Sequence, residues 1–396
     1  MKVNANDVKA QYQLTPEQEE IISQFERFGR EELLPLQEKM DLEDWWPEDL
    51  FTRFAAIGGL GTTISPEYGG SGLDYFTAGL IGKTLSKYNP AAAFGWGAHE
   101  NLCLNNIYRN ANEAIKKKYL PKLCDGSLIG ALGLTEPGAG SDALGSMATT
   151  ATRDGDDYIL NGRKLYITNG PIADVLLVYA KTDKALGPHG ISAFVIEADF
   201  PGFSVAQTLD KMGFRGNPTG ELVFEDCRVP AANLVGQENQ GVSIVMSGLD
   251  LERAFVSMVC LGISERALEL ALDYVQTREQ FGKPLGSFQM VQSKIADMYS
   301  DIETMRSLSY RVLSACNDLE IGGGGRGEVH KLTAASVKFA ARAQNRVVTE
   351  AVHLHGGSGY MQDTEINRLY RTNKLLEIGA GTTEVRNLII SGELLK

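Results

Sequence analysis

The sequence is poor in the residues that build metal sites and disulfide frameworks. Its 396 residues include five cysteines and five histidines. The cysteines are scattered and form no C-x-x-C pair, so neither a disulfide framework nor a zinc site is predicted. His353 and His355 stand two residues apart, which alone is weak evidence for a metal site. We therefore expect no metal.

Long apolar runs and targeting segments are also missing. No stretch reaches the roughly 18 apolar residues that a transmembrane helix needs. The amino terminus, Met1–Asp7, has neither the apolar core of a signal peptide nor the Arg-rich amphipathic pattern of a transit peptide. We expect a soluble, cytoplasmic protein that does not bind membranes.

Positive charge is in deficit. The chain has 38 Lys and Arg against 50 Asp and Glu, a formal net charge of −12. Because neutralised phosphates supply most of the non-specific affinity for nucleic acid, no nucleic-acid partner is expected. A hydrophobic content of 43% and a charged content of 22% are ordinary for a globular protein, and they exclude disordered, collagen-like and coiled-coil classes.

The order of predicted elements indicates three domains, because the chain is too long for one hydrophobic core. Residues 1–125 are predicted to be helical, and Thr15–Gln18 has the form of a capping box with Pro16 at the first helical position. Residues 126–240 contain short β-type runs, and Asp154-Gly155 between two of them predicts a hairpin. Residues 241–396 contain four predicted helices, at 244–277, 288–313, 331–352 and 367–375, with a loop at Gly322–Gly325.

The fold class predicted from this order is multidomain α and β. A helical N-terminal domain is followed by a middle domain that is a β-barrel or a β-sandwich. The C-terminal domain is predicted to be a four-helix bundle, because long helices with short links favour that arrangement.

One segment combines glycines with hydroxyl side chains. Residues 131–142 read Ala-Leu-Gly-Leu-Thr-Glu-Pro-Gly-Ala-Gly-Ser-Asp. Such a turn offers free backbone N–H groups that can bind an anion or the polar edge of a ring. Its glycine spacing matches neither G-x-G-x-x-G nor a P-loop, so the residues alone do not distinguish a binding segment from a plain interdomain loop.

That segment resembles the signature of the acyl-CoA dehydrogenase family. Six further segments resemble family landmarks in the same order: Pro66–Gly70, Tyr166–Gly170, Leu222–Val229, Arg278–Gly282, His355–Tyr360 and Gly381–Arg386. Within the family the closest resemblance is to the isovaleryl-CoA dehydrogenase branch, through Ala98-His99, Asn101–Cys103, Met246–Arg253 and Glu377–Gly381. The resemblance implies FAD between the β domain and the helical bundle, and a homotetramer.

The resemblance also implies a carboxylate base near the substrate α-carbon. Most family members carry this glutamate immediately before the Gly-Thr of the last landmark, where this sequence has Ala380. The isovaleryl branch has it on the helix after the β domain, where this sequence has Glu252. Glu100 is the next candidate for the base.

The residues around Glu252 support the same assignment. On a helix, Glu252 shares its face with Gly248, Leu249, Phe255 and Val256. Loss of water around a carboxylate raises its pKa, which suits a base that faces a weak carbon acid. The residues alone leave a second interpretation open, in which the glutamate is solvated or paired with the arginine that follows it.

By resemblance, the flavin ring and its surroundings are contacted by Leu132, Leu134, Thr135, Gly140, Ser141, Tyr166, Ile167 and Thr168. The pyrophosphate and adenine are expected to meet Arg278, Gln289, Gly356 and Gly357 across a subunit boundary, with Phe281 and His353 as further cofactor-binding residues. Thr382 and Glu384 are expected to close the site. Tyr166 stands where the family commonly has tryptophan, and His353 where it commonly has glutamine; both can still stack or form hydrogen bonds.

The substrate contacts implied by the resemblance are Phe94, Ala98, Ser141, Ser243, Asp250, Arg253, Ala380 and Gly381. The backbone N–H at position 380 is expected to bind the thioester oxygen, together with a ribityl hydroxyl.

The acyl pocket departs from the isovaleryl pattern. Phe94 and Trp96 replace a leucine and a tyrosine, while Ser243 replaces an aromatic residue and Leu376 a tyrosine. Phe94 and Ala98, one turn apart, are expected to form the pocket floor, and Trp96 could equally well only repack the core.

The predicted function is FAD-dependent α,β-dehydrogenation of a short acyl-CoA, straight or branched. Glu252 removes the α-proton, a hydride passes to flavin N5, and an electron-transfer flavoprotein accepts the electrons. One alternative is a dehydrogenase of an acyl or prolyl group tethered to a carrier protein, which Ser243 favours and Arg253 and Ser141 oppose. Another is a non-catalytic scaffold of the same fold, which the retained Glu252 opposes.

Overall fold

The computed structural model describes residues 13–319 and 324–396. Part of the predicted glycine loop, Gly322 and Gly323, lies outside these residues. Within the described ranges, no helix is long and apolar enough to cross a membrane. No group of three or more His, Cys, Asp and Glu side chains in those ranges could hold a metal ion.

The first segment is helical, as predicted. Thr15 caps the first helix through a complete capping box with Gln18, at 3.2 Å and 3.0 Å. The helices are α1 (Pro16–Phe28), α2 (Gln37–Glu43), α3 (Leu50–Ala56), α4 (Tyr75–Tyr88), α5 (Pro90–Gly97), α6 (Asn106–Asn110) and α7 (Glu113–Cys124). Two π-helical stretches, Gly29–Leu33 and Ala98–Asn105, were not predicted; such turns are rare and frequently mark functional sites.

The middle segment forms the β domain. Its strands are β1 (Gly130–Gly133), β2 (Thr150–Asp154), β3 (Asp157–Thr168), β4 (Val175–Lys181), β5 (Ile191–Glu197), β6 (Phe203–Thr208), β7 (Thr219–Pro230) and β8 (Leu234–Val235). The predicted hairpin is confirmed: β2 and β3 pair up to Asp154 and Asp157, and Gly155 in the turn has a φ of +62°. A positive φ favours glycine, which explains the strength of the signal.

The sheet bends into two halves that pack face to face. The hydrogen-bonded order is β6-β7-β3-β2-β4-β5-β8, with β1 parallel to β4. The halves meet through the single pair Thr150–Lys181. Side chains of both halves form one apolar core, in which the rings of Tyr158 and Phe194 lie 4.9 Å apart. Of the two forms predicted, the structure has the sandwich.

The last segment contains the four predicted helices, three of them long. They are α8 (Gly241–Thr277), α9 (Gln289–Cys316), α10 (Gly327–His355) and, after the single turn α11 (Gly357–Tyr360), α12 (Glu365–Leu376). Besides the turn α11, the structure adds a small hairpin of β9 (Glu279–Gln280) and β10 (Lys283–Pro284) and helix α13 (Thr383–Leu394), none of which was predicted.

Helices α8 and α10 run parallel and define two ends of the bundle. At the first end, His330 Nδ1 lies 2.6 Å from the Asp250 carboxylate. At the second end, the rings of Tyr274 and His355 stack with centroids 4.5 Å apart. We call these the Asp250 end and the Tyr274 end. The middle β domain contacts the Asp250 end, because a side chain at Gly241 would collide with Ile191 of β5 at 2.8 Å.

Candidate active site

An accessible stripe on α8 ends at Glu252. Ser243, Met246, Leu249 and Glu252 follow one another at intervals of three residues and are exposed or partly exposed. From Arg253 to Ser264 the helix is buried throughout. Side chains three residues apart are neighbours about 60° apart around a helix, so the stripe winds around α8. Leu249 and Glu252 border one accessible space, whereas Ser243 points to the opposite side of the helix.

The Glu252 carboxylate sits at the inner end of that space without a partner. It makes no hydrogen bond or ion pair within the described residues. Its pKa is raised from 4.5 to about 7, chiefly because it is removed from water, while the positive charges of Arg253 and Arg386 oppose the rise. The desolvation predicted for Glu252 is therefore present, and the alternative of an ion pair with Arg253 is not what the structure contains.

Two buried arginines fix the loop from Leu376 to Gly381 beside this carboxylate. Arg253 Nε donates to the Ala380 carbonyl at 3.3 Å. Arg386 Nη2 donates to the carbonyls of Leu376 and Gly379, at 3.0 Å and 2.5 Å. Ala380 has a φ of +56°, a conformation that non-glycine residues rarely adopt. Its N–H has no acceptor among the described residues and is free for a ligand.

Asp250 holds Arg253 in place. Its Oδ1 accepts from Arg253 Nη1 at 3.1 Å and lies 2.6 Å from His330 Nδ1, and its Oδ2 accepts the Gly325 N–H at 2.6 Å. The Asp250 side chain is 0% exposed. Both oxygens are occupied within the protein, so Asp250 can affect a substrate only through Arg253. Arg253 is also buried, and its side chain contacts Ala380 at the backbone carbonyl oxygen.

The helical stretch from α5 to α6 provides the wall opposite. From Pro90 to Ile107, only Phe94, Gly97 and Leu102 are not fully buried. The Phe94 ring lies 4.5 Å from that of Phe214 and remains accessible, whereas the predicted partner in the pocket floor, Ala98, is buried.

Two residues suspected of a role at this wall are structural. Trp96 is 1% exposed and its indole N–H donates to the Gly59 carbonyl at 2.6 Å, so it belongs to the core. The Glu100 carboxylate accepts hydrogen bonds from the Gly61 and Thr62 N–H groups at 2.8 Å and 2.6 Å. The Glu100 carboxylate therefore bonds to the backbone of another segment and is not available as the base.

Strands β1 and β3 present the predicted flavin-contacting face. Leu132, Thr135 and Thr168 are partly exposed, and Tyr166 is 66% exposed with a φ of +62°. The hydroxyls of Thr135, Ser141 and Thr168 make no hydrogen bond within the described residues. A Cβ atom placed on Gly140 would meet nothing within 4 Å, so the turn is open on that side. The side chains of Leu134 and Ile167 are buried, and these two can offer only their main chains.

A buried ion pair that was not predicted from the sequence supports this face from behind. Lys164 Nζ donates to the Leu134 carbonyl at 3.1 Å and to Glu136 at 2.8 Å. Glu136 also accepts the backbone N–H groups of Ala148 and Thr149. Burial lowers the Lys164 pKa to about 8 against the opposing charge of Glu136. The pair is separated by 28 residues, and no short motif in the sequence indicates it.

Six further predicted cofactor residues lie at the Tyr274 end of the bundle. These exposed residues are Arg278, Phe281, Gln289, His353, Gly356 and Gly357, and Phe281 is 93% exposed. Arg278 follows Glu252 by 26 residues along α8, which corresponds to about 39 Å of helix. One chain therefore does not bring the two predicted parts of the flavin site together.

The last predicted residues frame the start of α13. Thr382 caps this helix, with its hydroxyl accepting from the Val385 N–H at 3.3 Å. Gly381 is partly exposed with a φ of +86°, and Glu384 is exposed in the first turn of the helix. Gly381, Thr382 and Glu384 are thus adjacent to the loop that Arg253 and Arg386 hold.

Comparison with known proteins covers nearly the whole chain. Family models described as acyl-CoA dehydrogenase N-terminal, middle and C-terminal domains match residues 15–127, 131–227 and 239–395. A curated relative, the mitochondrial isovaleryl-CoA dehydrogenase of Pongo abelii, is 43% identical over 95% of this chain and 88% of that protein.

Three solved structures are similar to this chain. Butyryl-CoA dehydrogenase from Megasphaera elsdenii has a TM-score of 0.93 and 38% identity, over 97% of this chain and 100% of that one. The prolyl acyl carrier protein oxidase AnaB has a TM-score of 0.91 and 32% identity, over 96% and 100%. PigA with FAD and proline has a TM-score of 0.91 and 31% identity, over 97% and 98%.

Proposed function

Because this chain belongs to the acyl-CoA dehydrogenase family of flavin-dependent oxidoreductases, with isovaleryl-CoA dehydrogenases among its relatives, we propose that it dehydrogenates a short acyl-CoA, straight or branched, between the α- and β-carbons. The observation that carries this proposal is the unpartnered Glu252 carboxylate at the inner end of an accessible space. Its pKa of about 7 makes it a stronger base than an ordinary glutamate.

Glu252 is proposed to remove the α-proton of the thioester. The acyl group is proposed to lie beside Leu249 and Glu252, with the CoA arm directed towards solvent. Removal of a proton from such a carbon is difficult unless the thioester carbonyl is polarised. The free N–H of Ala380 is the proposed donor to that oxygen, held in position because Arg253 binds the carbonyl of the same residue.

FAD is the proposed cofactor, and the residues present fit it. Thr168 and the exposed Tyr166 lie on β3, and Thr135 and Ser141 lie in the segment that follows β1; the three hydroxyls are unbonded, as a flat polar ring that needs hydrogen-bonding partners along its edge requires. Bound FAD would accept the hydride that leaves the β-carbon. Leu132, Thr135, Ser141, Tyr166 and Thr168 would hold the ring, with the main chains of Leu134, Gly140 and Ile167.

The exposed residues at the Tyr274 end are proposed to bind the distal part of a neighbouring chain's FAD. Their separation from Glu252, about 39 Å along α8, supports a site completed by a second copy. A homotetramer is proposed on the family resemblance, and an electron-transfer flavoprotein is the proposed acceptor.

A second candidate function is oxidation of an acyl or prolyl group on a carrier protein. Ser243 is small and exposed on α8, and the chain is similar to a prolyl acyl carrier protein oxidase. Arg253 was expected to contact CoA and so to oppose this alternative. It does not oppose it in the structure, because its guanidinium bonds to Asp250 and Ala380. Ser141, exposed and unbonded, remains available for CoA.

The test is anaerobic bleaching of the flavin by a panel of acyl-CoA thioesters and by the same acyl groups on a carrier protein. Bleaching by short acyl-CoA esters supports the proposal. Bleaching by the carrier-bound forms alone supports the second function. A protein that stays colourless after reconstitution with FAD would support the scaffold alternative and contradict both.

A further inference from the structure

Gly97 has no structural need to be glycine. A Cβ atom built on Gly97 meets nothing within 4 Å. Its backbone is ordinary right-handed helix, with φ −63° and ψ −35°. In contrast, a Cβ on Gly95 would lie 2.5 Å from Asn217 and 2.7 Å from Trp46, so close packing explains glycine there.

The open space beside Gly97 belongs to the region of Glu252. A Cβ on Gly248 of α8 would lie 2.3 Å from Asn106, and the ring of Phe255 lies 6.4 Å from that of Trp96. Gly248 of α8 thus faces Asn106 of α6, and Phe255 of α8 faces Trp96 of α5. The two helices therefore run antiparallel, and the stretch that begins at Gly97 passes Glu252.

The accessible residues of the two helices also match. On one side they are Gly97 and Leu102, and on the other Leu249 and Glu252. Apart from the carboxylate, these side chains are apolar. The space between them suits an alkyl group placed beside the base.

We propose that Gly97 determines acyl specificity: the missing side chain makes room for a substituent on the acyl chain next to Glu252. Glycine is less favourable than alanine within a helix, and neither the backbone nor the packing of this chain requires it here. The inference rests on the proposed function, since it assigns the space to the acyl group of that reaction.

The experiment compares Gly97→Ala and Gly97→Val with wild type, using isovaleryl-CoA and butyryl-CoA. Because Gly97→Ala adds one methyl group to a space that the protein leaves open, the variant should fold and retain FAD. The ratio of kcat/KM for isovaleryl-CoA to that for butyryl-CoA should fall about 10-fold or more, the usual effect of one methyl group in an apolar pocket. Gly97→Val should reduce kcat/KM for both substrates.

The matched control is Gly392→Ala in α13, another helical glycine with nothing within 4 Å of its Cβ position. It should leave the ratio unchanged. An unchanged ratio in both Gly97 variants, with normal FAD content, would overturn the role of Gly97 while leaving the proposed function intact. If wild type reacts with no short acyl-CoA of the panel, the proposed function fails, and the same ratio measured with carrier-bound isovaleryl and butyryl groups decides the role of Gly97.

Discussion

Arg253 donates a hydrogen bond from Nε to the carbonyl oxygen of Ala380 at 3.3 Å. This bond connects the helix that carries Glu252 to the loop whose free N–H is proposed to bind the thioester. The other end of the same guanidinium is held by Asp250, which His330 and Gly325 hold in turn. One arginine thus joins the helix that carries the proposed base to the loop that carries the proposed oxyanion donor.

Arg253→Lys tests whether the hydrogen bond from Arg253 positions the Ala380 loop. Lysine keeps the charge near Asp250, but a single ammonium group cannot reproduce the planar pair of contacts to Asp250 and Ala380. We expect the rate of flavin reduction at saturating substrate to fall by about 10-fold or more, since small misplacements at a reacting centre are costly. Stopped-flow flavin reduction measures this rate.

The control for that variant is Arg266→Lys, which changes a second, partly buried arginine of α8 that is paired with Glu365. It should lose stability without a matching loss in the rate of flavin reduction. Equal reduction rates for Arg253→Lys and wild type would show that the bond to Ala380 does not position the donor.

Glu252→Gln should make the protein more stable than wild type, by a difference that grows as the pH rises. The folded pKa of about 7 lies above the ordinary 4.5, so the folded protein binds more protons than the unfolded chain between these values. Stability contributed by this group therefore falls as pH rises from about 4.5 to 7, by roughly 3 kcal/mol in total. The variant lacks this penalty and should melt higher than wild type at pH 8, with a smaller difference at pH 5.5.

Melting curves of the two apoproteins at both pH values check this prediction. Glu20→Gln, at an exposed position on α1, should show no such pH-dependent difference. A Glu252→Gln variant that is less stable than wild type at pH 8 would mean that the carboxylate is stabilised in the fold rather than desolvated.

Local signals in the sequence predicted much of the fold, because the interactions concerned are local. The capping box at Thr15 and the turn at Gly155 depend on residues two or three positions apart. The Asp250 interactions were not predictable in this way: Gly325 and His330 lie 75 and 80 residues further along the chain. The buried pair of Lys164 and Glu136 depends equally on how the strands pack.

Candidate residues of the active site could be predicted from the sequence only where they belong to a recognisable motif. The resemblance indicated Glu252 and Ala380 as candidates, but it could not show that Asp250 holds Arg253 or that Trp96 and Glu100 bond to the backbone of the protein interior. Gly97 was not identified either, because the space beside it exists only between two packed helices. The length of α8 similarly explains why the predicted flavin residues fall at two ends of one chain.

Arg278→Ala should weaken both FAD retention and oligomer formation. Arg278 is exposed at the Tyr274 end, where a guanidinium suits a pyrophosphate of a neighbouring chain's cofactor. Flavin content after gel filtration and the elution volume measure the two effects. Arg228→Ala, which removes an exposed arginine from β7, should change neither. A monomer that retains one FAD per chain would contradict the shared site.

Phe94→Leu should favour branched over straight acyl groups. The Phe94 ring is accessible and tilted against Phe214 at 4.5 Å, so a smaller side chain widens the space on the Gly97 side. We expect the kcat/KM of isovaleryl-CoA to improve about 10-fold relative to butyryl-CoA. Loss of the aromatic contact should cost about 0.5–1.5 kcal/mol of stability. An unchanged ratio would place Phe94 outside the acyl pocket.

The central claim is that Glu252 is the base. A rescue variant tests whether a carboxylate at position 380 can replace the one at position 252. The double change Glu252→Gly with Ala380→Glu moves the carboxylate to the place common in the family. It should recover part of the activity lost on removal of Glu252, because both positions adjoin the same loop. Full recovery is not expected, since the new carboxylate lacks its supporting contacts.

The most direct measurement is the rate of anaerobic flavin reduction in Glu252→Gln at saturating concentration of the best acyl-CoA. The amide keeps the volume and removes the base, while the Ala380 N–H stays available, so binding should survive. The rate should fall by about 10²–10⁴-fold, the usual contribution of a positioned base. A rate close to that of wild type would contradict the assignment of Glu252.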